Sequence, residues 1–264
     1  KAEQSDLLMA MYGRHGEAPC AILAPATPAE CFQVMIDAAE IALKYMTPVI
    51  VLADGYIANA AEPWKIPDVD SLPDLSPNFR TDPEGFHPFQ RDEKTLARAW
   101  AIPGTPGLQH RIGGIERGAN DGHISYEPEN HQDMTNFRAE KIARIADDRP
   151  AITPDRGNTS GKLGIVGWGS TFGAINGAVN ELIKAGEDVA HIHVRQMSPL
   201  PNGFEDLLRS YDQILVPEMN MGQLVKLVRA EYLIDAKGLN QVTGKPFKVG
   251  KIKDAALEML GAAK

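Results

Sequence analysis

Thr47 to Asn59, TPVIVLADGYIAN, constrains this chain more than any other stretch. Val49, Ile50, Val51 and Leu52 form an unbroken apolar run rich in β-branched residues, opened by Pro48 and closed by the turn dipeptide Asp54-Gly55. A run without polar alternation predicts a strand buried on both faces, as in a parallel sheet covered by helices. In open α/β sheets, ligands gather outside the carboxyl ends of the strands. Ala53 to Trp64 is therefore the first place to expect functional contacts, with an ordinary strand-to-helix loop as the alternative.

The flanks extend this strand into a βαβ unit. Ala21 to Ala24 reads as a short buried strand stopped by Pro25. Thr27-Pro28-Ala29-Glu30 has Thr as N-cap, Pro at N1 and Glu at N3, a capping box. Phe32, Met35, Ile36, Ala39 and Leu43 then recur at helical spacing and predict one apolar face. The crossover is expected to be right-handed. Upstream, Gln4 to Tyr12 reads as a short helix with Leu7, Leu8 and Met11 inward, ended by the loop Gly13-Arg14-His15-Gly16-Glu17.

From Pro63 to about Pro128 the chain loses apolar periodicity and is punctuated by prolines. Its aromatic anchors (Trp64, Phe79, Phe86, Phe89, Trp100 and Tyr126) argue against disorder and predict an ordered arm that needs partner surface. Asn130 to Asp147 returns to helix, with Met134, Phe137 and Ile145 as buried candidates. Arg149 to Gly161 is a polar linker and a plausible domain boundary. Beyond it, strands are predicted at 163–166, 189–194, 213–216 and 240–243, and helices at 171–185, 204–210, 221–232 and 253–260. This βαβα order implies a small, mostly parallel sheet.

Composition narrows the function classes. A formal net charge of −8 argues against a general nucleic-acid binder. No stretch has the apolar length needed to cross a bilayer, and none has the pattern of a signal peptide. Cys20 and Cys31 are the only cysteines, eleven positions apart. They read as small buried hydrophobes in a reducing, cytosolic compartment, and cannot alone hold a four-thiolate cluster. The chain starts at Lys1 without Met, so an N-terminal part is expected to be missing.

No single motif completes an active site. Gly167-Trp168-Gly169-Ser170-Thr171 follows a strand and opens a helix, but Phe172 stands where the dinucleotide fingerprint needs its third Gly. A structural strand-to-helix turn is the better reading. His191 and His193 share one strand face without a third ligand, and satisfied strand histidines outweigh a metal site. His15 divides evenly between a pocket role and a solvated loop. Glu218, between a strand and a helix, suits the positive end of that helix and a structural or interface role.

Taken together, EQSDLLMAMYGRHGE, TPVIVLADGYIAN with EPWKIPD, HRIGG and HISYEPENH in the arm, and VPEMNMGQL resemble one family. It is the α subunit of 2-oxoacid:ferredoxin oxidoreductases, with most similarity to the 2-oxoglutarate type. The resemblance covers nearly the whole chain and is to the back half of that subunit. It implies an α/β fold with two parallel-sheet domains. Residues 1–75 would end a thiamine-diphosphate pyrimidine-type domain, 76–150 would form an extended arm and helix at a subunit interface, and 151–264 would form a transketolase C-terminal-like domain.

The resemblance also implies an enzyme that oxidatively decarboxylates a 2-oxoacid, makes its coenzyme A thioester and passes two electrons singly to ferredoxin, or runs in the reverse, CO₂-fixing direction. Thiamine diphosphate, Mg²⁺ and a [4Fe–4S] cluster are implied, largely held by a β subunit, with coenzyme A as co-substrate. Implied partners are the β subunit, a second αβ unit, ferredoxin and the 2-oxoacid, in the cytoplasm, with neither nucleic acid nor membrane involved. By position, Lys1 would meet the substrate carboxylate, Arg14 and His15 would support it, and Asp54-Gly55 would make subunit contact near the cofactor. No catalytic residue or metal ligand is assigned to this chain. Arg117 after Glu116 departs from the His expected there, which weakens any role for the arm tip. Two other readings are the pyrimidine-side subunit of a 2-oxoacid dehydrogenase or transketolase relative, and a non-catalytic scaffold.

Overall fold

The computed structural model describes residues 1–261. Its first half contains α1 (Leu7–Tyr12), β1 (Ala21–Leu23), α2 (Glu30–Tyr45), β2 (Val49–Val51), α3 (Gly55–Asn59) and α4 (Pro128–Ala143). The second half contains β3 (Gly161–Trp168), α5 (Phe172–Lys184), β4 (Val189–Val194), β5 (Gln196–Ser198), α6 (Phe204–Arg209), β6 (Tyr211–Glu218), α7 (Gln223–Tyr232), β7 (Lys237–Asn240) and α8 (Val249–Met259). Four parallel strands form the larger sheet in the order β4-β3-β6-β7. The α/β class thus follows from the βαβα pattern, with the last strand three residues earlier than its apolar residues suggest.

The smaller sheet has the order β2-β1-β5 and is mixed: β1 pairs parallel with β2 and antiparallel with β5. Only its β1–β2 pair has the parallel geometry that the sequence predicts. The third strand arrives from beyond β4, after Arg195, which no local periodicity reveals. Strand β2 lies at an edge and is half-buried, not covered on both faces. The core crosses between the halves as well. Leu7, Ala10 and Ile22 pack in one cluster with Val166, Ile192, Val194 and Phe204.

Helix α2 turns a different face inward from the one its larger residues suggest. Val34, Ala38, Ile41 and Tyr45 are buried with Ile142 and Ile145, whereas Met35 is 57% exposed. Phe32 instead meets Trp64 at 5.2 Å between ring centroids. Tertiary packing on β1 and α4 decided the face, because both stripes satisfy the 3.6-residue period. In α4 the buried residues are Met134 and Ile142, and Phe137 is half-buried under the Arg91 guanidinium.

The arm follows an irregular path held by isolated bridges, Phe79 with Trp100 and Arg91 with Arg98. Trp100 anchors it to the first layer by donating Nε1–H to the Leu43 carbonyl at 2.8 Å. Trp64, Phe79 and Tyr126 remain exposed. No helix among the described residues is long and apolar enough to cross a membrane.

Candidate functional site

Three segments converge beyond the carboxyl ends of the strands: residues 1–6, the Asp54 turn after β2, and the Gly169-Ser170 turn after β3. Asp54 leaves β2 as the N-cap of α3. One carboxylate oxygen accepts from the amides of Tyr56 (2.8 Å) and Ile57 (3.2 Å), a use of Asp that satisfies orphan helix donors. The other oxygen accepts from the Ser170 hydroxyl and so ties the two sheets together.

Gly55 receives the start of the chain. Its amide donates to the Lys1 carbonyl at 3.1 Å. A Cβ at this position would lie 2.6 Å from the Lys1 carbonyl oxygen and 2.8 Å from the Lys1 nitrogen, both rigid backbone atoms. Only glycine admits this approach. We expect Gly55→Ala to destabilise the fold by about 1–3 kcal/mol, the usual range for overpacking, measurable as a lower urea midpoint. An unchanged midpoint would show that segment 1–6 is not held against this turn.

In the larger sheet the chain runs from β3 to β4 on one side and returns to β6 on the other, so the topological switch point lies between β3 and β6. Folds of this kind bind ligands in the crevice there. Here the chain fills it with its own residue. Gln4, 3% exposed, donates its side-chain amide to the Trp168 carbonyl at 2.7 Å and accepts from the Met219 amide at 2.8 Å. Its backbone amide donates to the Met219 carbonyl at 3.0 Å, and its carbonyl accepts from the Asn220 side chain at 2.9 Å. The Gly167-Trp168-Gly169 turn is therefore occupied as a structural element. These contacts also explain why the first helix begins at Leu7 and not at Gln4.

Glu218 closes β6 behind this plug and is fully buried. Its carboxylate accepts from the amides of Leu224 (2.7 Å) and Val225 (3.0 Å), the Trp168 indole (3.2 Å) and the Asn220 side chain (3.0 Å). The carboxylate thus serves the first turn of α7, where orphan donors and the helix dipole both favour negative charge.

On β4, His191 and His193 are buried side by side. His193 Nε2 lies 3.1 Å from the Gly169 carbonyl and His193 Nδ1 lies 3.2 Å from His191 Nε2. Because a carbonyl only accepts, His193 carries its proton on Nε2, and Nδ1 accepts from His191. Burial pushes the His191 pKa down to about 4, opposed by Asp155 and reinforced by Arg195 and Arg156. Burial, followed by His191 and Arg195, takes His193 well below the ordinary histidine value. Arg195 closes the cluster through ion pairs with Glu30 and Asp155, both at 2.9 Å.

The residues proposed from sequence divide into two groups. Lys1, Asp54 and Gly55 are brought together, with Lys1 exposed. Arg14 and His15 lie past the far end of α1. Arg14 directs its guanidinium to the carbonyls of Ala10, Met11 and Ala18 and so closes the helix end. His15 is exposed. Gln4 and Ser170 escaped sequence reading, because a Gln beside Ser5-Asp6 reads as a helix start and Ser170 reads as part of a turn. Among the described residues, no group of three His, Cys, Asp or Glu side chains is placed to hold a metal ion. Cys20 is buried and Cys31 half-buried, and two thiols do not make a four-thiolate site. The Mg²⁺ and iron–sulfur groups implied above do not fit these residues.

Residues 1–135 match the family model described as pyruvate flavodoxin/ferredoxin oxidoreductase, thiamine diphosphate-binding, and the chain belongs to that family. Within it, the chain is 46% identical to the 2-oxoglutarate oxidoreductase subunit KorA of Mycobacterium tuberculosis over 97% of its own length and 40% of that protein's. It is 29% identical to the alpha subunit of 2-oxoacid:ferredoxin oxidoreductase 1 of Aeropyrum pernix, over 98% and 42%. The chain thus spans about two fifths of the length of these relatives. The structure of a 2-oxoglutarate:ferredoxin oxidoreductase from Magnetococcus marinus, with 2-oxoglutarate, coenzyme A and succinyl-CoA bound, superposes with a TM-score of 0.90 at 28% identity. That match covers 98% of this chain and 45% of the other.

Proposed function

We propose that this chain is part of the α subunit of a thiamine-diphosphate-dependent 2-oxoglutarate:ferredoxin oxidoreductase. The whole enzyme would convert 2-oxoglutarate and coenzyme A to succinyl-CoA and CO₂ with electrons passed to ferredoxin, or run the reverse reaction. The observation that carries this reading is the agreement of the fold with a 2-oxoglutarate:ferredoxin oxidoreductase over 98% of the chain. Thiamine diphosphate, when bound, supplies the stabilisation of the carbanion left by decarboxylation. Its Mg²⁺ and the [4Fe–4S] cluster belong, in this reading, to a β subunit, within a cytoplasmic assembly that pairs two αβ units. The exposed Trp64, Phe79 and Tyr126 of the arm supply apolar surface for such an assembly.

This chain's own part is to hold a cation where a dicarboxylate can reach it. Gly55 fixes the Lys1 backbone, Gln4 locks the same segment to the larger sheet, and the Lys1 ammonium offers one carboxylate a mobile point charge. Asp54 and Gly55 lie at the same turn, which we assign to contact with the cofactor-bearing subunit. Arg14 and His15 could act on substrate only indirectly, through the loop that follows α1.

We expect Lys1→Ala in the full-length complex to raise KM for 2-oxoglutarate about tenfold or more, the scale of one charge-assisted hydrogen bond. The stability of the complex should not change. An unmoved KM removes Lys1 from the site. The function itself is tested by isolating the native complex anaerobically and assaying 2-oxoglutarate with coenzyme A and viologen. Reduction by a complex that carries an iron–sulfur spectrum supports the reading. A complex with neither signal points to a dehydrogenase-type relative or a scaffold.

A further inference from the structure

Residues 78–100 of the arm and the carboxyl ends of α2 and α4 line an open pocket of about 930 Å³. Arg80, Arg91, Arg98, Lys94, Lys44 and Arg144 reach its wall, against only three carboxylates, in a chain whose net charge is −8. The carboxylates are already engaged. Asp148 pairs with Lys44 at 2.7 Å, Asp92 caps its own turn through the Thr95 amide at 2.7 Å, and Asp147 accepts from Asn202 at 3.1 Å.

Arg91 and Arg98 stand directly opposite each other across an antiparallel bridge. Like charges in that arrangement repel and destabilise the pairing. Neither forms an ion pair among the described residues. Arg91 turns to the carbonyls of Phe89 and Ala119 and over the Phe137 ring. Arg98 lies over the Phe89 ring, its guanidinium 4.7 Å from the centroid, and burial disfavours its charge; its N–H groups find no protein acceptor among the described residues and are open to solvent. Burial and then the neighbouring cations disfavour the charge on Arg91 and on Lys141 behind it. The Met46 carbonyl at the end of α2 takes one Lys141 donor at 3.2 Å. A helix C-terminus therefore accounts for the lysine, but not for Arg98.

Two arginines on the wall of one pocket, one of them with no protein acceptor among the described residues, are complementary to a multiply charged oxyanion. A carboxylate brings one negative charge. A phosphate brings close to two and can accept from both forks at once. The volume is in the range that encloses a small organic ligand, and Trp100, Phe86 and Tyr45 supply aromatic wall. We propose that this pocket is a binding site for a phosphate-bearing small molecule, with Arg98 and Arg91 as its principal contacts. The site is separate from the Lys1–Gly55 junction and does not depend on the function proposed above.

The test uses the intact native complex and inorganic pyrophosphate as probe, with sodium chloride at matched ionic strength as control. Calorimetry and thermal melting are read on the wild type, Arg98→Gln and Arg98→Lys. We expect saturable pyrophosphate binding in the wild type, about tenfold weaker or more in Arg98→Gln and intermediate in Arg98→Lys. Absence of binding to the complex, an equal response to chloride, or unchanged affinity in Arg98→Gln would each overturn the proposal.

Discussion

Glu218→Ala should destabilise the protein by about 3–5 kcal/mol, the largest single-residue effect the site offers. The carboxylate is fully buried and receives four donors, two of them backbone amides in the first turn of α7. Alanine removes every acceptor at once and opens a space beside the indole of Trp168. An orphaned buried donor costs about 1–3 kcal/mol, and the four losses are not additive because α7 can relax. A domain with about 5–15 kcal/mol of stability has little margin for this. Glu218→Gln should cost about 1–2 kcal/mol. Its carbonyl can replace the oxygen that serves Leu224, Trp168 and Asn220, while its NH₂ group meets the Val225 amide donor to donor. Chemical denaturation of both variants tests the ranking. Equal losses, or a loss from alanine below 1 kcal/mol, would show that solvent reaches these amides.

Stability should also fall steeply with acid because of the paired histidines on β4. In the native state His191 is held down to about 4 by burial, and His193 is lowered in the same direction. In the unfolded chain both titrate near the ordinary value of 6.5. Between these values the unfolded state binds more protons than the native state, so unfolding free energy rises with pH across that window. Above about pH 6.5 both states are neutral and the contribution is flat. Each tenfold change in proton affinity is worth about 1.4 kcal/mol, so His191 alone removes up to about 3 kcal/mol as the pH falls toward 4. Burial of both rings is the larger cause, and protonation also turns His193 Nδ1 from an acceptor into a second donor facing the His191 N–H. Urea unfolding at pH 7.0 and 5.0 measures the slope. Replacing both histidines with glutamine should flatten most of it, the carboxylates of other ion pairs contributing the remainder. A slope unchanged by that double substitution assigns the acid sensitivity elsewhere.

Much of this architecture was determined by the sequence itself. The apolar run 49–52, the capping box at Thr27–Glu30 and the alternation of strands and helices after residue 160 specify their elements through interactions within a few residues. Glu30 shows the limit of that reading. The regular helix starts at Glu30 itself, with Ala29 at its N-cap and no side-chain cap; Thr27 Oγ1 accepts the Glu30 amide at a long 3.4 Å, while the Glu30 carboxylate accepts from the Ala26 amide at 2.9 Å and reaches across to Arg195. Glu218 was legible for the same local reason, as a carboxylate at the start of a helix. The stretch after β2 was legible as a strand ending in a turn, although not the glycine's purpose there.

Tertiary structure alone decided the rest. Gln4 and Trp168 are 164 positions apart, and nothing in either local sequence marks one as the plug for the other's strand end. Strand β5 joins the smaller sheet from the second half of the chain, so no period or turn signal near β1 announces it. Two apolar stripes compete for the inside of α2, and the winner depends on what β1 and α4 present. Hydrophobic period and turn chemistry act over a few residues of chain. Close backbone approach and buried polar satisfaction exist only after distant segments meet.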